Sequence, residues 1–323
     1  MIAPDIVLSM PEGHSVHRIA HQFQADFVGQ KVFASSPQGR FAQGAELITG
    51  REMVASHAVG KHLFLEFDND LVLRVHLGIY GAWDFAGELS QIGASAASSI
   101  GAPRVARAIR VGEEEHDKPG SAAEPDSPAD PEFPPDPVGA VRVRLLTDTA
   151  VADLRGPTAC EVIDKTEVGV VLNRLGPDAA NEPGQESEDR VVELIRKRQV
   201  PIARLLMDQA IMAGIGNIYR AEMLFRARLD PFVPGAKLRV KTVRALWQDW
   251  VELLNIGIDT GRMMTREDLN EEEFARALDD ESIRYWVYGR QNEPCRVCGT
   301  DIAMELMSAR KLYWCPNCQR GRS

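Results

Sequence analysis

From residue 15 to residue 29 the apolar side chains Val16, Ile19, Ala20, Phe23 and Phe27 recur at helical spacing and share one face. Ser15 is placed to cap such a helix and Gly29 to end it. The period then shortens. Residues 62–67 and 71–77 read as short strands joined by the turn-forming trio Asp68-Asn69-Asp70, and strand-like alternation resumes over 141–146. Beyond residue 190 helical spacing returns over 191–199, 201–210, 219–228 and 243–254, with Pro201 suited to a first helical turn. The chain therefore reads as an α+β multidomain protein: a β-rich domain fronted by one helix over 10–178, a helical domain over 189–284, and a cysteine-bearing ribbon over 285–320. No internal repeat is visible.

Two stretches interrupt this order. From about 112 to 137, Pro, Ala, Ser, Asp and Glu dominate with almost no large apolar residue, so burial cannot offset chain entropy, and a disordered acidic insert is expected. A second polar stretch, 181–188, reads as the link between the halves.

At 323 residues and 44% hydrophobic composition the chain has apolar material for two packed units. No run of about 18 uncharged apolar residues occurs, and the opening lacks the basic flank and apolar core of a secretory signal, so the cytosol is expected. The net charge of −10 argues at first against a nucleic-acid partner. That charge is local. Between Glu113 and Asp136 nine carboxylates face one base, Lys118, whereas from Arg290 onward six bases outnumber three acids.

The strongest chemical signal is Cys295-x2-Cys298, sixteen residues, then Cys315-x2-Cys318. Two such knuckles supply four thiolates for one tetrahedral Zn2+, and a four-thiolate site has no open position, so this zinc is expected to be structural. The fifth cysteine, Cys160, reads as a small core residue. Between the knuckles lie Ser308, Ala309, Arg310 and Lys311. A second signal runs from Met207-Asp208-Gln209 through Gly214-Ile215-Gly216-Asn217 to Glu222. The glycines permit tight interhelical turns, and Asn217 opens a helix whose amide and backbone N–H groups can hold one phosphate; a plain turn with a capping Asn217 reads the same residues. A third is Met10-Pro11-Glu12-Gly13-His14. With Met10 as the start and that methionine removed, Pro11 has a secondary amine titrating near pH 8, nucleophilic at physiological pH, beside the carboxylate of Glu12. An ordinary turn before a helix is the alternative. Gly60-Lys61 entering a hairpin, and His76-Leu77-Gly78-Ile79-Tyr80-Gly81 after the second strand, are unremarkable alone.

In order, the Pro-Glu-Gly start, GKHLFLEF, HLGIYGAW, MDQAIMAGIGNIYRAEMLF and VYGRQNEPCRVCG with LYWCPNCQ resemble the formamidopyrimidine-DNA glycosylase and endonuclease VIII family, from Pro11 to about Gln319. The resemblance implies an N-terminal β-sandwich flanked by helices, a helix-two-turns-helix domain and a zinc ribbon. It implies a bifunctional glycosylase and abasic-site lyase: Pro11 attacks C1′ of a flipped nucleotide, Glu12 assists as acid or base, and Lys61 contacts phosphate and supports elimination, β then δ. His76, with Ile79 and Tyr80 as the wedge, Asn217 and Arg310 contact DNA, single- or double-stranded, and the protein acts as a monomer. Ser15 stands where many members carry a second carboxylate. The Pro-Glu-Gly start with Gly78-Ile79-Tyr80 is closer to the endonuclease VIII branch, which implies oxidised pyrimidines. The mechanism requires a free Pro11 nitrogen, so Met10 is expected to be the start or Met1–Ser9 to be removed. A non-catalytic DNA-binding scaffold of the same fold is the rival reading. A zinc-ribbon transcription factor leaves the hairpin Lys61 and His76 unexplained.

Overall fold

The computed structural model describes residues 11–92, 109–111 and 133–320. Residues 1–10, with the expected start, and 112–132 of the acidic insert lie outside them. Two compact units result, one of Ser15–Gly169 with Pro11, the other of Val170–Ser323 with Glu12–His14.

In the first unit, α1 (Gly13–Asp26) is followed by β1 (Lys31–Ser35), α2 (Ala42–Ile48), β2 (Arg51–Val59), β3 (His62–Phe67), β4 (Leu71–His76), β5 (Ala82–Gly87), β6 (Ile109–Val111), β7 (Val141–Leu146), β8 (Ala150–Arg155), β9 (Ala159–Asp164) and α3 (Lys165–Leu172). The strands pair antiparallel in the order β6-β5-β8-β7-β1-β2-β3-β4-β9. β1 belongs to both halves of the sheet, pairing through Lys31 and Val32 with β2 and through Phe33–Ser35 with β7. Leu63, Leu65, Leu73 and Val75 from one half and Trp83, Phe85, Leu145 and Leu154 from the other share a single core with Val16, Ile19 and Phe23 of α1 and Phe27 just after it, which makes the unit a β-sandwich closed by a helix. The apolar stripe of 15–29 is what α1 contributes. The helix begins two residues before the expected cap, because the Gly13 N–H donates to the carbonyl of Gly214 at 2.9 Å and a tertiary partner does the work of a cap.

The second unit contains α4 (Gln185–Arg196), α5 (Ile202–Leu205), α6 (Asn217–Arg226), α7 (Val240–Thr260), α8 (Glu271–Asp279) and a two-stranded ribbon, β10 (Ala303–Met307) and β11 (Arg310–Trp314). The polar stretch at 181–188, expected as a linker, instead opens α4. Glu186 and Glu188 lie in its first turn, where carboxylates favour helix, and Glu188 is buried against Arg244 at 3.1 Å. The helix expected over 201–210 stops at Leu205, since Asp208 turns its carboxylate onto the Ala210 N–H at 3.0 Å and diverts the backbone. Among the described residues no helix is long and apolar enough to cross a membrane.

A buried ion pair joins two strands of the sandwich: Arg144 on β7 donates through Nε and Nη2 to both oxygens of Asp153 on β8, each at 2.7 Å. Removing one partner leaves a buried charge. Asp153→Ala is expected to lower unfolding free energy by about 3 kcal/mol or more, and Arg144→Met with Asp153→Leu to recover most of that loss, both read from urea midpoints.

Candidate active site and nucleic-acid interface

Glu12 is buried, 1% exposed, and its carboxylate closes on the N-terminus of α6. Oε2 accepts from the Gly216 N–H at 2.8 Å and Oε1 from the Ile218 N–H at 2.9 Å. These are the orphan donors of the helix, and together with its dipole they stabilise the ionised carboxylate. The Gly216 and Ile218 N–H groups at this helix start are therefore taken by the chain's own Glu12. Gly216 is required by the approach: a Cβ there would lie 2.3 Å from Glu12 Cδ. Gln209 fixes the loop that delivers these N–H groups, accepting from the Gly214 N–H and donating to the Ile215 carbonyl, each at 3.0 Å. Pro11, the residue before Glu12, is buried immediately ahead of α1.

Asn217, the first residue of α6, donates from Nδ2 to the Lys311 carbonyl at 2.9 Å. This binds the helix to β11, whose first residue is Arg310. Arg310 follows a two-residue turn in which Ser308 and Ala309 both have positive φ, 52° and 61°, the geometry that returns a twisted hairpin on itself. Farther along α6, Glu222 is wholly buried. It accepts from the Thr265 hydroxyl and from the N–H groups of Trp286, Val287 and Tyr288, at 2.7 to 2.9 Å, and so holds the approach to the ribbon. Burial pushes its carboxyl pKa upward, against those four donors.

In the first unit, Gly60 and Lys61 form the turn between β2 and β3, and His62 stands opposite His76 on β4, their rings 4.9 Å apart. Arg74 donates from Nε to His62 Nδ1 at 3.3 Å and pairs with Glu161. Burial, then His76 and Arg74, push the His62 pKa down to about 3; burial, then Lys61 and Arg74, lower that of His76. Both imidazoles are thus neutral at physiological pH beside two fixed cations. Past His76 the chain turns sharply at Gly78, where φ is 74° and a Cβ would lie 1.7 Å from Thr158 Oγ1. This presents half-buried Ile79 and Tyr80, which is 60% exposed. Lys61, His76, Ile79 and Tyr80 thus gather at one end of the sandwich, and Glu12, Asn217 and Arg310 around α6.

Cys295, Cys298, Cys315 and Cys318 bring their sulfurs within 4.8 Å of one another, with Cys295–Cys318 at 3.9 Å and Cys298–Cys315 at 3.4 Å. A tetrahedron with the usual Zn–S length has edges of about 3.8 Å. The donor set and spacing fit a structural metal ion. Gln319 braces the second knuckle, accepting from the Cys315 N–H at 2.8 Å and donating to the Leu229 carbonyl at 3.0 Å. Gln209 and Glu222 bounded the second sequence signal without a role of their own, and Gln319 was not singled out; Glu222 and Gln319 hold backbone dozens of positions away, for which the chain has no local signal.

Gly216→Ala is expected to cost about 1–3 kcal/mol of stability, measured by denaturant melts, and less in a Glu12→Ala background, where the added methyl meets no carboxylate. Equal costs in both backgrounds would refute the contact.

Three family models match the chain in succession: the formamidopyrimidine-DNA glycosylase N-terminal domain over residues 10–155, the formamidopyrimidine-DNA glycosylase H2TH domain over 175–268, and a zinc finger found in FPG and IleRS over 292–321. Endonuclease 8 1 of Mycobacterium bovis is 37% identical over 310 residues, 96% of this chain and 100% of the relative. Endonuclease 8 of Pectobacterium carotovorum is 28% identical over 319 residues, with 96% and 100% covered. Among solved structures, the Lactococcus lactis Fpg in complex with DNA containing an abasic site superposes with a TM-score of 0.67 at 21% identity, over 96% of this chain and 100% of that one. With whole relatives aligned along nearly its full length and three domain models in the expected order, the chain belongs to the formamidopyrimidine-DNA glycosylase and endonuclease VIII family, the DNA glycosylases of base excision repair with abasic-site lyase activity.

Proposed function

We propose that this protein removes oxidised bases, pyrimidines foremost, from damaged DNA and cleaves the strand at the abasic site through an iminium on Pro11. The observation that carries the reading is the Glu12 carboxylate, which accepts two backbone N–H groups at the α6 N-terminus in the residue next to Pro11. An ionised carboxylate there can take the proton that the Pro11 amine loses on attacking C1′. As the N–C1′ bond forms, the glycosidic pair leaves with the base. The same carboxyl, now protonated, donates to the ring oxygen when the C1′–O4′ bond opens. The iminium acidifies the C2′ proton, whose removal expels the 3′-phosphate, and a further elimination expels the 5′-phosphate. Lys61 supports these eliminations at the phosphate, with His76 beside it. Ile79 and Tyr80 fill the space of the extruded nucleotide. Asn217 and Arg310 grip the backbone. The catalytic domain spans 10–178, the helix-two-turns-helix domain 189–284 and the ribbon 285–320, and the protein works as a cytosolic monomer on damaged DNA, single- or double-stranded.

The four cysteines hold one Zn2+, which when bound fixes the knuckles and with them the hairpin bearing Arg310. Metal analysis is expected to give one zinc per chain, and Cys298→Ser to lose it together with DNA affinity. Retention of tight binding by a zinc-free ribbon would separate the metal from the grip.

An amide nitrogen cannot form an iminium, so the active form starts at Pro11. Protein beginning at Pro11 is expected to be trapped covalently by borohydride on DNA containing an abasic site, and the intact form beginning at Met1 not to be. Equal trapping of both would exclude Pro11 as the nucleophile. Binding without trapping by either form would favour the scaffold reading.

A further inference from the structure

Arg220 has no part in the reaction scheme above, yet among the described residues of the second unit it is the largest charged side chain that is wholly buried. It lies one turn after Asn217 on α6. Its Nη2 donates to Asn217 Oδ1 and, at 3.1 Å, to the Lys311 carbonyl, the same carbonyl that accepts from Asn217 Nδ2. Nε and Nη1 have no hydrogen-bond partner among the described residues. Glu12, Arg310 and Tyr288 are the charged or titratable groups whose fields it feels, and burial lowers its pKa only to about 10, so the guanidinium stays charged at neutral pH. A buried cation with so few acceptors is costly, and an apolar residue of similar volume would fill the space with less penalty.

The geometry points to a specific use, which rests on the phosphate-grip reading of Asn217 and Arg310: Arg220 is the positioning residue that locks the Asn217 amide with its NH2 group presented to a DNA phosphate. The two ends of an asparagine amide are nearly the same size, so shape alone does not choose between them. Here both contacts choose. Exchanging the ends would set NH2 against the guanidinium, donor on donor, and Oδ1 against the Lys311 carbonyl, acceptor on acceptor. In the orientation present, one Nδ2 hydrogen satisfies Lys311 and the second remains for a phosphate oxygen, while a cation on Oδ1 polarises the amide and strengthens that donor. The same guanidinium ties the β11 backbone at Lys311, next to Arg310.

The test is a double-mutant cycle on the full zinc-loaded chain, with binding to duplex DNA carrying a tetrahydrofuran abasic analogue read by fluorescence anisotropy. Asn217→Ala is expected to weaken binding roughly tenfold or more, the worth of one hydrogen bond to a charged group. Arg220→Gln should weaken it by a similar factor, Arg220→Lys should not rescue it, and the double variant should bind no more weakly than Asn217→Ala alone, with zinc content unchanged. Losses that multiply, or an Arg220→Gln variant that binds like the wild type, overturn the assignment. If Asn217→Ala itself binds like the wild type, the phosphate grip fails and this inference with it. Should Arg220→Gln not fold, the side-chain amide resonances of Asn217 in the wild type decide. One Nδ2 proton is expected to be hydrogen-bonded before DNA is added and the other to move downfield on binding; a titration that moves neither overturns the proposal.

Discussion

A carboxylate from the twelfth residue sits on the N-terminus of a helix more than 200 positions away, and the candidate site is organised by that contact. Two backbone N–H groups satisfy Glu12, and the charge in turn satisfies two donors that a helix start otherwise leaves open. The arrangement imposes conditions on its neighbours. Gly216 has no side chain because the carboxylate occupies that space. Gln209 clamps the loop before it, and the Gly13–Gly214 hydrogen bond ties in the start of α1. Pro11 is therefore held by the chain on its C-terminal side, next to a fixed carboxylate.

Around α6 the same economy recurs: ionisable groups are used to hold backbone. Glu222 gathers three successive N–H groups at 286–288, and Arg220 and Asn217 converge on the Lys311 carbonyl. A ribbon of two five-residue strands has little core of its own. Its order comes from the cysteine cluster at one end and from these tethers to α6. The site in the sandwich works differently. There Lys61 and Arg74 supply fixed positive charge, while His62 and His76 are kept neutral by burial and by those cations. A local cationic surface can thus coexist with a net charge of −10, most of which is accounted for by residues 113–136.

Much of the fold was legible in the residues. β3 and β7 begin and end where alternation placed them, β4 is one residue shorter, and the apolar stripe of α1 is the stripe that is buried. The cysteine spacing predicted the sulfur cluster. The misreadings were at ends and links. Gln185–Arg196 began as helix where polarity read as linker, because Glu186 and Glu188 favour a helix start and Glu188 finds Arg244. The 201–210 helix was cut short by a side chain competing for backbone.

Periodicity, turn residues and the spacing of thiols are local properties, so the sequence by itself determined the elements, their approximate order, the metal-ligand set and the resemblance that marked Pro11, Glu12, Lys61, Asn217 and Arg310. What occupies the N-terminus of α6, which way the Asn217 amide faces, and why Gly216, Arg220 and Glu222 are the residues they are depend on partners dozens to hundreds of positions away. Only the tertiary structure decided these, because a buried polar group is specified by the distant donor or acceptor that satisfies it, and no local pattern in the chain encodes that partner.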